Sequence, residues 1–202
     1  MSAASRSRSR VRNALLSAGA AAAALTLSAC GSGGTSGGGG DTNFIMGADG
    51  ISTAKQGDRG SAPDLSGKTV DGGQLDVADY KGKVVVLNMW GSWCAPCRAE
   101  APNLEAVYKD LKGRNVQFVG VNTRDTSVQN ARAFEKDMGI TFPSLYDPTG
   151  KLMLRFSKGT LNPQAVPSTL VIDRDGKIAA RSLAALSESK LRKMINPVLA
   201  EK

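Results

Sequence analysis

Between residues 84 and 111 the chain reads VVVLNMWGSWCAPCRAEAPNLEAVYKDL. No other stretch limits the fold as tightly. The run at 84–89 is mostly apolar and β-branched and does not alternate, which predicts a strand covered on both faces. Leu104, Val107, Tyr108 and Leu111 recur at i, i+3, i+4 and i+7, so a helix is predicted over residues 95–112, with Gly113 to end it. A further strand at 116–121 completes a strand–helix–strand unit whose two strands must run parallel. A sheet with layers on both sides is therefore required.

The remaining elements extend this unit. Short, turn-punctuated segments after residue 61 predict a hairpin about Asp71-Gly72-Gly73. The segment DTSVQNARAFEKDMG predicts a second helix, with Asp125 or Thr126 as N-cap and Gly139 as stop. An intervening segment covers residues 141–158. Residues 169–172 and 177–181 predict an antiparallel hairpin across Arg174-Asp175-Gly176, and a last helix is expected from 187 to 199, breaking near Pro197. The order β, α, β, α, β, β, α is that of an α/β thioredoxin-like three-layer fold with a central mixed sheet, an N-terminal β-hairpin extension and an insertion before the loop at Pro167.

The N-terminus reads as an address. Arg6, Arg8, Arg10 and Arg12 precede an apolar stretch over 14–27, which has the length of a signal peptide core and is too short and alanine-rich for a membrane span. It ends in Leu27-Ser28-Ala29-Cys30, which resembles the bacterial lipobox; the rival reading is an ordinary secretory signal with a cysteine nearby. On the lipobox reading residues 1–29 are removed and Cys30 carries the lipid. The glycine-rich run that follows cannot bury a core, and residues 30–60 are expected to form a flexible tether with a reach of roughly 30 Å. The folded domain is then 61–202, on the extracytoplasmic side of a bacterial cell membrane, as a monomer.

Composition removes whole classes of function. The 202 residues contain no histidine, which excludes imidazole-based hydrolases and histidine-ligated metals. The formal charge of +8 falls to +4 without the four leader arginines, and no basic run remains to suggest nucleic-acid binding.

Three readings compete for Cys94 and Cys97. A zinc site lacks ligands, because the only other cysteine is Cys30. A structural disulfide gains little from closing so short a loop. A redox dithiol fits best, with no metal and no cofactor beyond the cysteine pair. Cys94 stands where a helix begins, so backbone N–H groups and the helix dipole favour its thiolate, and Cys97, one turn on, can resolve a mixed disulfide.

The stretch VVVLNMWGSWCAPCRAEAPNLEAVY resembles the TlpA/ResA-like (DsbE-like) group of membrane-anchored thiol-disulfide oxidoreductases in the thioredoxin superfamily, and the likeness runs from about Ala62 to the C-terminus. The resemblance implies that Trp93 packs beside the nucleophile or fills the core. It implies that Pro102 kinks the active-site helix, and that Val166-Pro167 is the cis-proline loop where a client chain binds. It also implies that Glu100 takes the Cys97 proton, against the alternative of an exposed glutamate near a helix start. Thioredoxins place a buried aspartate where this chain has Asn88, which cannot titrate, so any base lies elsewhere. A peroxidase is not expected, because Gly91 stands where that pattern asks for threonine or serine. The implied partners are disulfide-containing client proteins, such as an apocytochrome c or a copper-site protein of a terminal oxidase, and a membrane electron donor. Two alternatives stay open: a disulfide-donating oxidase for secreted proteins, and a non-enzymatic module that only holds a client.

Overall fold

A computed structural model describes residues 42–201. The leader, Cys30 and the whole of the glycine-rich run lie outside the described residues. Among the described residues no helix is long and apolar enough to cross a membrane.

Strands β1 (Ile45–Met46), β2 (Ile51–Thr53), β5 (Val84–Trp90), β6 (Val116–Thr123), β7 (Ser144–Asp147), β8 (Ser168–Ile172) and β9 (Ile178–Ser182) form one seven-stranded sheet in the order β1-β2-β9-β8-β5-β6-β7. The trio β5, β6 and β7 at one end of the sheet is parallel, and β8, β9, β2 and β1 add on antiparallel. Strands β3 (Ser66–Lys68) and β4 (Gln74–Asp76) make the expected separate hairpin. The helices are α1 (Ala95–Leu111), α2 (Val128–Met138) and α3 (Glu188–Ala200).

Strand periodicity sorts the core. Val84, Val86, Val116 and Phe118 pack with Leu104, Val107 and Leu111 of α1 and Leu191, Met194 and Ile195 of α3. Val85, Leu87, Met89, Val119 and Val121 point the other way, into a cluster closed by Leu65 and Leu75 of the hairpin region and by Leu152, Met153 and Leu161. All seven residues of β5 are buried, as its unbroken apolar run requires. The fold class is thus the thioredoxin-like α/β arrangement, with the hairpin and loops forming the layer opposite α1 and α3.

Four expectations are corrected. Residues 42–60 are not wholly a tether: β2 pairs with β9, and Arg59 is held by Asp173 and Glu201, so the chain joins the sheet well before residue 61. The segment 141–158 contains β7, a short parallel edge strand with too few β-branched residues to announce itself. Helix α2 is capped by Ser127, whose Oγ accepts from the Gln129 N–H at 3.2 Å; Asp125 is unavailable because its carboxylate bonds Ser92 and Asn122. Pro197 does not break α3, which runs three residues past it. The last carbonyls there are taken by Arg174, which donates to Val198, Leu199 and Glu201.

Candidate active site

After β5 the chain turns through Gly91-Ser92-Trp93 and enters α1 at Cys94. Cys94 is the N-cap, with φ −90° and ψ 106°, and its Sγ accepts from the Cys97 N–H at 3.2 Å. A side-chain acceptor at this position satisfies one of the N–H groups that the first helical turn leaves unpaired. Pro96 lies in that first turn, where a missing N–H costs nothing. Cys94 and Cys97 are joined as a disulfide, and both residues are buried.

The opposite wall is the loop before β8. The Val166–Pro167 peptide bond is cis, and the Val166 carbonyl oxygen lies 3.6 Å from Cys94 Sγ. The structure therefore brings Cys94, Cys97, Val166 and Pro167 together at the C-terminal ends of the parallel strands.

Glu100, one turn beyond Cys97, is fully buried rather than exposed at the helix start. Its Oε1 accepts from Asn88 Nδ2 at 2.9 Å and its Oε2 from the Leu186 N–H at 2.9 Å. Burial outweighs both bonds and pushes its pKa up to about 7. Asn88 Nδ2 also donates to Thr169 Oγ1 at 3.0 Å, which ties β5 to β8 behind the disulfide. Asn88 and Cys97 line a common cavity of about 10 Å³, roughly the space of one water. Glu100 therefore sits behind the disulfide and is bonded to Asn88, which shares a small, mostly apolar cavity with Cys97.

Trp93 is the exception among the expected residues. It is 53% exposed, so it fills no core. Its indole ring is covered instead by the Arg124 guanidinium, centred 4.9 Å away. Pro102 lies inside α1, which continues through it.

Two contributors were not anticipated. Asp125, buried just after β6, accepts from the Ser92 N–H at 2.8 Å, Ser92 Oγ at 2.5 Å and Asn122 Nδ2 at 2.5 Å, and so holds the turn that delivers Cys94. Arg124 joins Trp93 to the far wall, donating from one terminal nitrogen to the Gln164 carbonyl at 3.3 Å. The sequence signal is the polar run from Asn122 to Asp125 at the end of a buried strand, where the ends of neighbouring parallel strands gather.

A family model described as the AhpC/TSA family matches residues 59–181. The thiol-disulfide oxidoreductase ResA of Bacillus subtilis is 30% identical over 135 residues, spanning 67% of this chain and 72% of that protein. The thiol:disulfide interchange protein HelX of Rhodobacter capsulatus is 38% identical over 120 residues, 59% of this chain and 62% of that one. Among solved structures, a secreted thiol-disulfide isomerase from Corynebacterium glutamicum superposes with a TM-score of 0.70 at 31% identity, covering 81% of this chain and all of that one.

Proposed function

The chain belongs to the AhpC/TSA family and, within the thioredoxin superfamily, to its TlpA/ResA/DsbE-like thiol-disulfide oxidoreductases; from that premise we propose that it is a lipid-anchored, extracytoplasmic protein disulfide reductase. The observation that carries the reading is the buried Glu100 beside a helix-capping Cys94–Cys97 pair that faces the Val166 carbonyl.

In the reducing direction the Cys94 thiolate attacks a client disulfide. A Cys94–client disulfide forms, and the first client sulfur leaves as a thiolate that takes a proton from solvent. Cys97 then loses its proton, with the buried Glu100 carboxylate as its acceptor in this reading, and attacks Cys94 Sγ. The second client sulfur leaves, the client has gained two electrons, and the Cys94–Cys97 disulfide has been formed. A carboxyl group titrating near neutrality suits that proton transfer, since its pKa lies close to the working pH. A membrane electron donor then returns two electrons to the pair. Cys30, outside the described residues, supplies the lipid in this reading, and an apocytochrome c or an oxidase copper-site protein is the client class.

The opposite direction, donation of the disulfide to secreted proteins, is the second reading, and the Corynebacterium glutamicum neighbour is itself described as secreted. The reduction potential of the Cys94–Cys97 couple, equilibrated against dithiothreitol or glutathione buffers at neutral pH, decides between them. A value near the roughly −270 mV of thioredoxin supports the reductase. A value toward the roughly −120 mV of strong disulfide donors overturns it and makes the protein an oxidase. Replacing both cysteines by serine should abolish function in either direction, whereas a client-holding module would keep it.

A further inference from the structure

Arg124 adopts φ of +59°, a left-handed conformation that suits glycine and costs an arginine about 1 kcal/mol or more. Its stem lies against Gly150 in the turn after β7, at a spacing of 3.5 Å from the position of a Cβ there. Its guanidinium spans the site, stacked on Trp93 of one wall and bonded to the Gln164 carbonyl of the other. The Nε is buried and has no hydrogen-bond partner. Among the described residues no carboxylate pairs with this cation. Its neighbour Asp125 is turned inward and already accepts three hydrogen bonds from Ser92 and Asn122. Arg98, the residue after Cys97, is an exposed cation without an ion pair among the described residues, lying over Phe134. Glu100, the acid nearest in sequence to the cysteines, is buried behind them. The rim of the dithiol is therefore cationic, with an exposed indole face beside the charge.

We propose that Arg124 is a specificity-determining residue, which selects client polypeptides that carry a carboxylate side chain next to the cysteine under attack. A planar guanidinium already fixed by stacking loses little freedom when it receives a carboxylate, and the terminal N–H groups that Gln164 leaves unused can engage its oxygens. The strained backbone is consistent with this assignment, because a glycine would relieve the strain but bring no charge. The inference rests on the reading of Cys94 as the attacking thiol.

The test uses the reduced full-length protein and short peptides whose single cysteine is linked to 2-thiopyridine, with Glu, Gln or Lys on both sides of the cysteine. Release of thiopyridone gives the second-order rate constant. Wild type should rank Glu above Gln above Lys, with a Glu-to-Lys ratio of about three- to tenfold at low salt, the range of one or two exposed ion pairs. The ratio should shrink toward one at about 0.5 M salt, where such charges are screened. Arg124→Gly should bring it to about one without lowering the thermal midpoint; Arg124→Gln, which keeps the stem, should do the same, and Arg124→Lys should keep the ranking. Equal rates for all three peptides with wild type, or a ranking that survives Arg124→Gly and Arg124→Gln, overturns the assignment. No release from any peptide would instead remove the dithiol reading on which it stands.

Discussion

Glu100 is a buried acid that no cation of the described residues neutralises; only Asn88 and the Leu186 N–H face its oxygens. Its pKa rises from an ordinary 4.5 to about 7. The folded protein therefore holds a proton that the unfolded chain gives up between those values. The associated stability is full below pH of about 4.5, declines as pH rises from there, and is lost above about 7. The difference amounts to roughly 3 kcal/mol at most. Glu135, partly buried on α2, is also pushed up to about 7 by burial, so wild type alone does not isolate Glu100. Comparison with Glu100→Gln does. With the disulfide formed, urea midpoints of wild type should fall more steeply between pH 5 and pH 8 than those of Glu100→Gln, by an amount on the order of 2 kcal/mol. Parallel pH profiles for the two proteins would show that this carboxyl titrates as an ordinary exposed one does.

At the scale of elements, what could be read in advance was whatever repeats. The apolar run of β5, the periodic face of α1 and the turn glycines carry their own signals, and those elements lie where they were expected. Residues that answer to a distant strand gave no such signal, and Gly120 is the clearest case. In β6 it sits opposite Asn88 of β5 and Ser144 of β7. A Cβ there would stand 2.2 Å from Ser144 Oγ and 2.7 Å from Trp90 Nε1. Those two side chains are hydrogen-bonded across the empty space, at 3.3 Å. The glycine thus lets the last residue of β5, just before the cysteine loop, bond the next strand but one. Gly120→Ala should destabilise by about 3 kcal/mol, at the upper end of overpacking because the new methyl meets a short serine side chain and a buried indole, neither the free end of a flexible chain. Trp90 fluorescence should shift with the lost bond. An unchanged denaturation midpoint would mean that the three strands separate more freely than their register implies. Asp125 departs from the helix-cap expectation for a related reason. It looked like a helix cap in one dimension, while its partners, Ser92 and Asn122, are assembled by the parallel ends of β5 and β6.

For the molecule as a whole, the order of residues 42–60 is a property of the tertiary structure and not of the segment. Its glycines and scattered charges carry no periodicity, and by composition alone the tether continues. Three long-range contacts decide otherwise. Strand β2 pairs with β9 from Ile51 to Thr53. Phe44 stacks on Arg181, centred 4.5 Å away, and Arg181 in turn donates to the carbonyls of Gly159 and Thr160, on the loop that leads to Pro167. Arg59 reaches Asp173 Oδ2 at 2.8 Å and both carboxylate oxygens of Glu201, at 2.6 and 2.7 Å, with only 6% of its side chain exposed. That last contact joins the start of the domain to its C-terminal end. Removing one member of a buried ion network costs more than the network contributes, because the remaining charges stay desolvated. Arg59→Met should therefore lower stability by about 3 kcal/mol, the lower end for such a loss since Glu201 keeps partial contact with solvent. The same variant should open residues 42–60 to limited proteolysis while the cysteine region stays protected, because the ion network lies at the opposite end of β8 from Val166 and Pro167. If residues 42–60 were only a tether, Arg59→Met would leave both the urea midpoint and the cleavage pattern unchanged.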